Sequence, residues 1–178
     1  MNWTTRQQNT QKSGKAMTRK IEYIRYLNLP PIPEYFLFEF EDNSNLFPEQ
    51  DTLFIKTGDH CENINKWCQE NICDSMFFGV LMMQNDLPIH KDTPAFPINN
   101  VWYVPDSKIT YLADAGGEEV YTRFWDEEGN LLKEYLIEPR RWHLIQVNVP
   151  HSVEGVQPPR KRWSVTTQLF HQEYLDDV

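Results

Sequence analysis

The chain has 178 residues, of which 40% are hydrophobic and 13% aromatic, the composition of a globular domain with a core of its own. Its formal net charge of -9 disfavours nucleic-acid binding, because a phosphate backbone is held mainly by Lys and Arg. No apolar run approaches the ~20 residues that span a bilayer, and residues 1–30 lack the apolar stretch of a secretory signal. We therefore expect a cytoplasmic protein that binds neither nucleic acid nor a membrane.

The polar beginning of the chain differs from the rest. Residues 1–18 are rich in Gln, Thr and Lys, and we predict that they form a disordered leader. Residues 19–178 are predicted to form a single domain. Within it, residues 28–34 contain three prolines, which indicates an extended connector.

Only one segment shows a clear helical pattern. Residues 58–72 are predicted to be a helix that Asp59 could cap, with an apolar stripe along one face formed by Ile64, Trp67, Cys68 and Ile72. The chain has three cysteines and no C-x-x-C pair, so we interpret them as reduced thiols. A zinc site formed with His60 is the alternative.

The remainder of the sequence reads as strands and turns. A five-residue turn signal at 126–130 separates two of the strands and predicts a hairpin. Many short strands in succession favour a mainly β fold of jelly-roll type, with one or two helices packed on the outside. The predicted strands cover residues 53–56, 76–84, 108–112, 120–125, 131–137, 142–149 and 162–170.

A histidine and an aspartate two residues apart follow the apolar strand that ends near Gln84. In extended backbone, residues i and i+2 point to the same side, so His90 and Asp92 would converge on one point. An imidazole and a carboxylate so placed can bind a divalent metal. A hydrogen-bonded His–Asp pair in a loop is the simpler interpretation of this spacing taken alone.

A second histidine lies just past another apolar strand. His151 follows Pro150 and comes 59 residues after Asp92, with several strands between them. A jelly roll can bring strands with that separation side by side. Two histidines and one carboxylate form the facial triad of non-heme Fe(II) oxygenases. His143, at the start of its predicted strand, is the alternative histidine.

An arginine and a serine begin the last strand. Arg162 comes eleven residues after His151 and shares a face with Ser164 if the segment is extended. A guanidinium pairs bidentately with a carboxylate, and a buried arginine needs an anion. A dicarboxylic cosubstrate would supply one. Arg160, in a loop after two prolines, is the alternative arginine.

These three motifs, in this order and spacing, resemble the Fe(II)- and 2-oxoglutarate-dependent oxygenases built on the double-stranded β-helix. The resemblance covers residues 75–172 and is nearest to the aspartyl/asparaginyl and prolyl hydroxylase-like branches. It implies that the iron ligands are His90, Asp92 and His151, and that Arg162 and Ser164 bind 2-oxoglutarate.

The resemblance further implies a dioxygenase that hydroxylates a peptide side chain or a small metabolite while 2-oxoglutarate is decarboxylated to succinate. Neither the substrate nor the oligomeric state is indicated by the sequence. Two other functions stay open: a cupin-like metalloenzyme that does not use 2-oxoglutarate, and a non-catalytic β-sandwich binding module. Candidates for a second side chain that contacts 2-oxoglutarate are Asn99, Asn100, Trp102 and Tyr111.

Overall fold

The computed structural model describes residues 22–43, 52–55, 62–73, 78–92, 97–98, 101–102 and 106–169. The leader predicted for residues 1–18, the cap at Asp59 and the cysteine at position 61 lie outside these ranges. No helix within them has the length and apolar character needed to cross a membrane.

Within the described ranges the chain forms two helices and a series of strands. The helices are α1 (Glu34–Asn43) and α2 (Glu62–Asn71). The strands are β1 (Ile24–Tyr26), β2 (Thr52–Ile55), β3 (Gly79–Met83), β4 (Leu87–His90), β5 (Pro97–Ile98), β6 (Val101–Trp102), β7 (Ser107–Ala115), β8 (Tyr121–Trp125), β9 (Leu131–Leu136), β10 (Arg141–Gln146), β11 (His151–Glu154) and β12 (Arg162–Leu169).

Two antiparallel sheets form the body of the domain. The larger sheet has the order β1-β10-β7-β12-β3-β2, and the smaller has the order β4-β11-β8-β9. Apart from the β5-β6 and β8-β9 hairpins, the chain from β3 to β12 passes back and forth between the two sheets. This winding is that of a double-stranded β-helix, or jelly roll, and it confirms the predicted fold class.

One face of the larger sheet packs against the helices. Alternate residues of its strands, such as Ile109, Tyr111 and Trp142, pack against Ile64 and Cys68 of α2. Burying each large apolar side chain contributes roughly 1.5–3 kcal/mol, so this layer fixes the helices against the sheet. The predicted stripe of α2 is therefore confirmed at its described residues.

The opposite faces of the two sheets enclose the interior of the barrel. Leu112 of the larger sheet packs with Phe124 of the smaller one, and Met83 packs with Val120 and Val153. Interior positions on β7, β8, β10 and β12 also carry polar side chains. These polar interior positions form the candidate site described below.

Helix α1 and five short strands, namely β1, β4, β5, β6 and β11, were not predicted from the sequence. Helix α1 begins directly after Pro33, a residue that favours a first helical turn, and its Glu34 complements the helix dipole. Strands β4 and β11 are only four residues long, and β4 includes Pro88. Runs this short give almost no periodic signal, so only their pairing in the sheet defines them.

The predicted hairpin at 126–130 is confirmed. The Asp126 carboxylate accepts hydrogen bonds from the backbone N–H groups of Glu128 and Asn130, at 3.1 and 2.7 Å. A hydrogen bond from the Asn130 side chain, together with these bonds from the turn backbone, lowers the pKa of Asp126. The turn thereby joins β8 to β9 in a fixed register.

A second carboxylate fastens the β3–β4 turn to the end of β11. Oδ1 of Asp86 accepts hydrogen bonds from the backbone N–H groups of Gly155 and Val156, both at 2.8 Å. The contact spans about 70 residues of sequence and keeps β11 beside β4.

We predict that Asp86→Ala lowers the free energy of unfolding by about 1 kcal/mol, because two backbone donors lose their partner. Chemical denaturation would measure this. Asp86→Asn, which keeps the accepting oxygen, should restore most of the loss. Equal destabilisation by the two variants would contradict the assignment.

Candidate metal centre

The pairing of β11 with β4 brings His90, Asp92 and His151 together. In this pairing His151 lies directly opposite His90. Asp92 follows β4 by two residues, and its backbone N–H donates to the carbonyl of Val147 at 3.2 Å. The three predicted ligands therefore converge at one end of the barrel.

One donor atom from each residue can face a common point. The possible ligand atoms of His90, Asp92 and His151 all lie within 4.8 Å of one another. Oδ1 of Asp92 is 3.5 Å from Nε2 of His90 and 4.0 Å from Nε2 of His151. The two imidazole rings are tilted by 49° with centroids 4.4 Å apart.

Both histidines are oriented in the same way by their own backbone. Nδ1 of His90 is 2.8 Å from the carbonyl oxygen of Pro88, and Nδ1 of His151 is 2.9 Å from that of Val149. A carbonyl can only accept, so each Nδ1 must carry its proton to make the bond. In a neutral ring this leaves the Nε2 lone pair free, which is the arrangement that a metal ligand requires.

Asp92 also has the protonation state that a metal ligand requires. Burial by itself would raise its pKa, but the hydrogen bond with His90 and the positive charge of Lys108 lower it to about 2. The same bond to Asp92 raises the pKa of His90, whereas burial lowers the pKa of His151. The carboxylate is therefore ionised at neutral pH.

The donor set fits a divalent transition metal. Imidazole nitrogen and carboxylate oxygen suit iron, and bonds to such a metal are about 2.0–2.2 Å long. Two histidines and one carboxylate occupy one side of a coordination sphere and leave its other side open.

Arg162 lies in the barrel interior at the start of β12. It is 6% exposed, and its NH2 group is 3.4 Å from Oγ1 of Thr122 on β8. Its NH1 group is buried and has no hydrogen-bond partner in the described part of the chain. Burial lowers the pKa of Arg162 to about 10, which still leaves the group charged at neutral pH.

A glycine allows the chain to pass close to this arginine. Gly116 has a φ of 78°, and a Cβ atom there would lie 2.8 Å from the backbone nitrogen of Arg162. A larger residue would therefore be strained and would push on the β12 backbone. Gly116 keeps its turn tight against the residue that carries the guanidinium.

The β8–β11 register relates Arg162 to the metal-binding cluster. Phe124 of β8 lies opposite His151, and Thr122, which contacts Arg162, lies opposite Val153. These two pairs of opposed residues are two positions apart along the strands, which corresponds to about 7 Å. That spacing is comparable with the length of an extended five-carbon diacid.

The alternative residues that the sequence left open have different surroundings in the structure. Arg160 is exposed in its loop, whereas Arg162 is buried. His143 lies in the interior on β10, outside the cluster of three. Burial, with the positive charge of Arg162 nearby, lowers the pKa of His143 to about 3, so this imidazole is neutral.

Other predicted contacts have mixed outcomes. Ser164 is buried on β12 two residues after Arg162, and its role toward a cosubstrate stays a prediction. Tyr111 faces the helices and packs on Trp142, so it is not on the interior side. Asn99, Asn100 and the side chain of Trp102 lie outside the described residues.

One interior residue was not predicted. Lys108 on β7 places its Nζ 2.5 Å from Oδ2 of Asp92. Lys108 falls in the same alternation as Leu112, but only the structure shows that this face of β7 is turned to the interior.

No family model matches the chain, and no curated protein matches it. Among solved structures, hydroxypropylphosphonic acid epoxidase from S. wedmorenis is similar with 11% identity and a TM-score of 0.40, covering 67% of this chain and 51% of that one. Oxalate oxidase in complex with the substrate analogue glycolate is similar with 10% identity and a TM-score of 0.39, over 67% and 51%. The chain spans about half the length of these structures, and similarity at this level carries no information on its activity.

The buried imidazole of His143 should make the stability of the fold depend on pH. The pKa of His143 is about 3 in the folded protein and about 6.5 in the unfolded chain, so the unfolded state binds the extra proton between these pH values. Within that window His143 should make the protein less stable as the pH falls, by up to about 1.4 kcal/mol per pH unit. Above about pH 6.5 the contribution of His143 to the free energy of unfolding does not change with pH.

We predict that His143→Gln removes this dependence. The difference in unfolding free energy between the variant and the parent, measured by denaturation at several pH values, should shift in favour of the variant as the pH falls from about 6.5 toward 3. A difference that does not vary with pH would contradict the buried neutral state.

Proposed function

We propose that this chain is an Fe(II)- and 2-oxoglutarate-dependent dioxygenase that hydroxylates a peptide side chain or a small metabolite. The observation that carries the proposal is the convergence of His90, Asp92 and His151, with Nδ1 of both histidines directed at a backbone carbonyl so that Nε2 is the atom each ring offers to a metal. A jelly roll with this donor set at its open end can hold a redox-active metal.

The protein would hold the metal from one side. His90 and His151 would bind through Nε2, and Asp92 would bind through a carboxylate oxygen. Bound iron would supply the redox chemistry that activates dioxygen, and 2-oxoglutarate would supply electrons through its decarboxylation to succinate. The backbone carbonyls of Pro88 and Val149 would keep the imidazole rings in place throughout.

Arg162 supports the choice of a dicarboxylic cosubstrate. Its guanidinium is buried, charged and incompletely paired, a costly state that an anion would relieve. A carboxylate there would form charge-assisted hydrogen bonds with Arg162. The spacing of about 7 Å along the strands allows the other end of the same diacid to reach the metal.

We predict that the purified protein binds Co(II) or anaerobic Fe(II) at one site and that His151→Ala abolishes this binding. Calorimetric titration would measure the affinity. The matched control is His143→Gln, which removes a buried imidazole outside the cluster and should bind the metal like the parent. A parent protein that binds no metal would favour the non-catalytic β-sandwich module instead.

We predict that 2-oxoglutarate binds only to the metal-loaded protein and that Arg162→Met weakens its binding at least tenfold, since a charge-assisted hydrogen bond contributes roughly 1.5–3 kcal/mol. The absorption band of the anaerobic Fe(II) complex would report binding. Metal affinity should stay unchanged in this variant, and Arg160→Met should bind 2-oxoglutarate like the parent. Metal binding without any response to 2-oxoglutarate would instead indicate a metalloenzyme of another type.

A further inference from the structure

Lys108 is placed where a lysine is costly unless it has a specific partner. It is the second residue of β7, its side chain is 18% exposed, and it lies on the interior side of the barrel. Lysine is seldom buried without a paired charge. Its Nζ is 2.5 Å from Oδ2 of Asp92, and that side chain is itself only 14% exposed.

The two oxygens of Asp92 have different surroundings. Oδ1 faces the histidines, at 3.5 Å from His90 and 4.0 Å from His151. Oδ2 is buried and lies against Nζ of Lys108, in an ion-pair contact that is not aligned as a hydrogen bond. A carboxylate can bind a metal through one oxygen or through both, and the partner on its second oxygen decides which.

The strand that carries Lys108 is well suited to hold a carboxylate in place. β7 lies between β10 and β12 in the larger sheet, with Lys108 opposite Ile145 on one side and Gln168 on the other. Its backbone is therefore fixed from both sides. Asp92, by contrast, lies after the end of β4, where it needs a side-chain partner to fix its orientation.

We propose that Lys108 is a positioning residue that holds Oδ2 of Asp92, so that the carboxylate binds the metal through Oδ1 alone. The inference depends on the metal site of the proposed function but not on 2-oxoglutarate. One-oxygen binding by Asp92 keeps free the coordination position that Oδ2 would otherwise occupy. The open side of the metal then retains all its positions for exchangeable ligands.

The neighbouring Lys91 provides a matched control. It lies between His90 and Asp92 in sequence, but it is 44% exposed and pairs with Glu127 at a distance of 2.5 Å. Replacing either lysine by methionine removes one positive charge close to the site. Only Lys108 contacts the carboxylate.

The experiment compares Co(II) binding and visible absorption of the parent with Lys108→Met, Lys108→Gln and Lys91→Met. Loss of an outer partner of a ligand typically weakens metal binding about tenfold or more, and we expect this for Lys108→Met. Its Co(II) spectrum should also change, because Oδ2 becomes free to bind. Lys108→Gln keeps a hydrogen-bond donor and should bind Co(II) more tightly than Lys108→Met, and Lys91→Met should match the parent in both readouts.

A Co(II) affinity in Lys108→Met that is equal to or higher than that of the parent would overturn the proposal. Removing a positive charge near a cation by itself favours cation binding, so that result would show that the amine only balances the charge of Asp92. Thermal unfolding of each variant checks that it is folded, and Lys108→Gln gives the same test if the methionine variant does not fold.

The parent protein distinguishes failure of this proposal from failure of the proposed function. A parent that binds Co(II) but not 2-oxoglutarate would contradict the proposed function and leave the assignment of Lys108 standing, whereas a parent that binds no Co(II) would contradict both.

Discussion

The candidate site depends on the antiparallel pairing of β11 between β4 and β8. That pairing sets His151 opposite His90 on one side and opposite Phe124 on the other. A shift of one residue would turn His151 to the outer face of the sheet, because side chains alternate along a strand. Four residues of β11 are too few to fix this register alone. The bonds from Asp86 to Gly155 and Val156 help to hold it.

The polar interior of the barrel distinguishes this domain from a purely structural β-sandwich. Lys108, His143 and Arg162 are all directed into a space that Leu112 and Phe124 also line. An apolar filling would be more stable, because charged groups lose hydration there and recover it only through good partners. Lys108 forms an ion pair with Asp92, but within the described residues neither Oδ2 of Asp92 nor NH1 of Arg162 has a hydrogen-bond partner. An anion beside NH1 would offset the cost of that buried charge.

Much of this arrangement could be predicted from the sequence, and the features that could not be predicted were missed for physical reasons. The fold class followed from the succession of short strands, and His90 and Asp92 from the two-residue period of extended backbone. The preference for Arg162 over Arg160 followed from its place at the start of a strand. The pairing of β4 with β11 could not be predicted, since short strands are defined by partners distant in sequence. Lys108 was missed because nothing local shows that its strand passes Asp92.

The free-energy cost of burying charged side chains in the barrel also links ligand binding to stability. A ligand that binds the folded protein and not the unfolded chain stabilises the fold in proportion to its concentration and affinity. A metal cation would pair with the ionised Asp92, and a carboxylate would pair with Arg162, so each would offset a charge that the fold has buried. The two charges have opposite signs, and Asp92 already has Lys108 as an ion-pair partner. A metal would add a second positive partner to Asp92, and a diacid bound to that metal would give Arg162 the partner that its NH1 group lacks within the described residues.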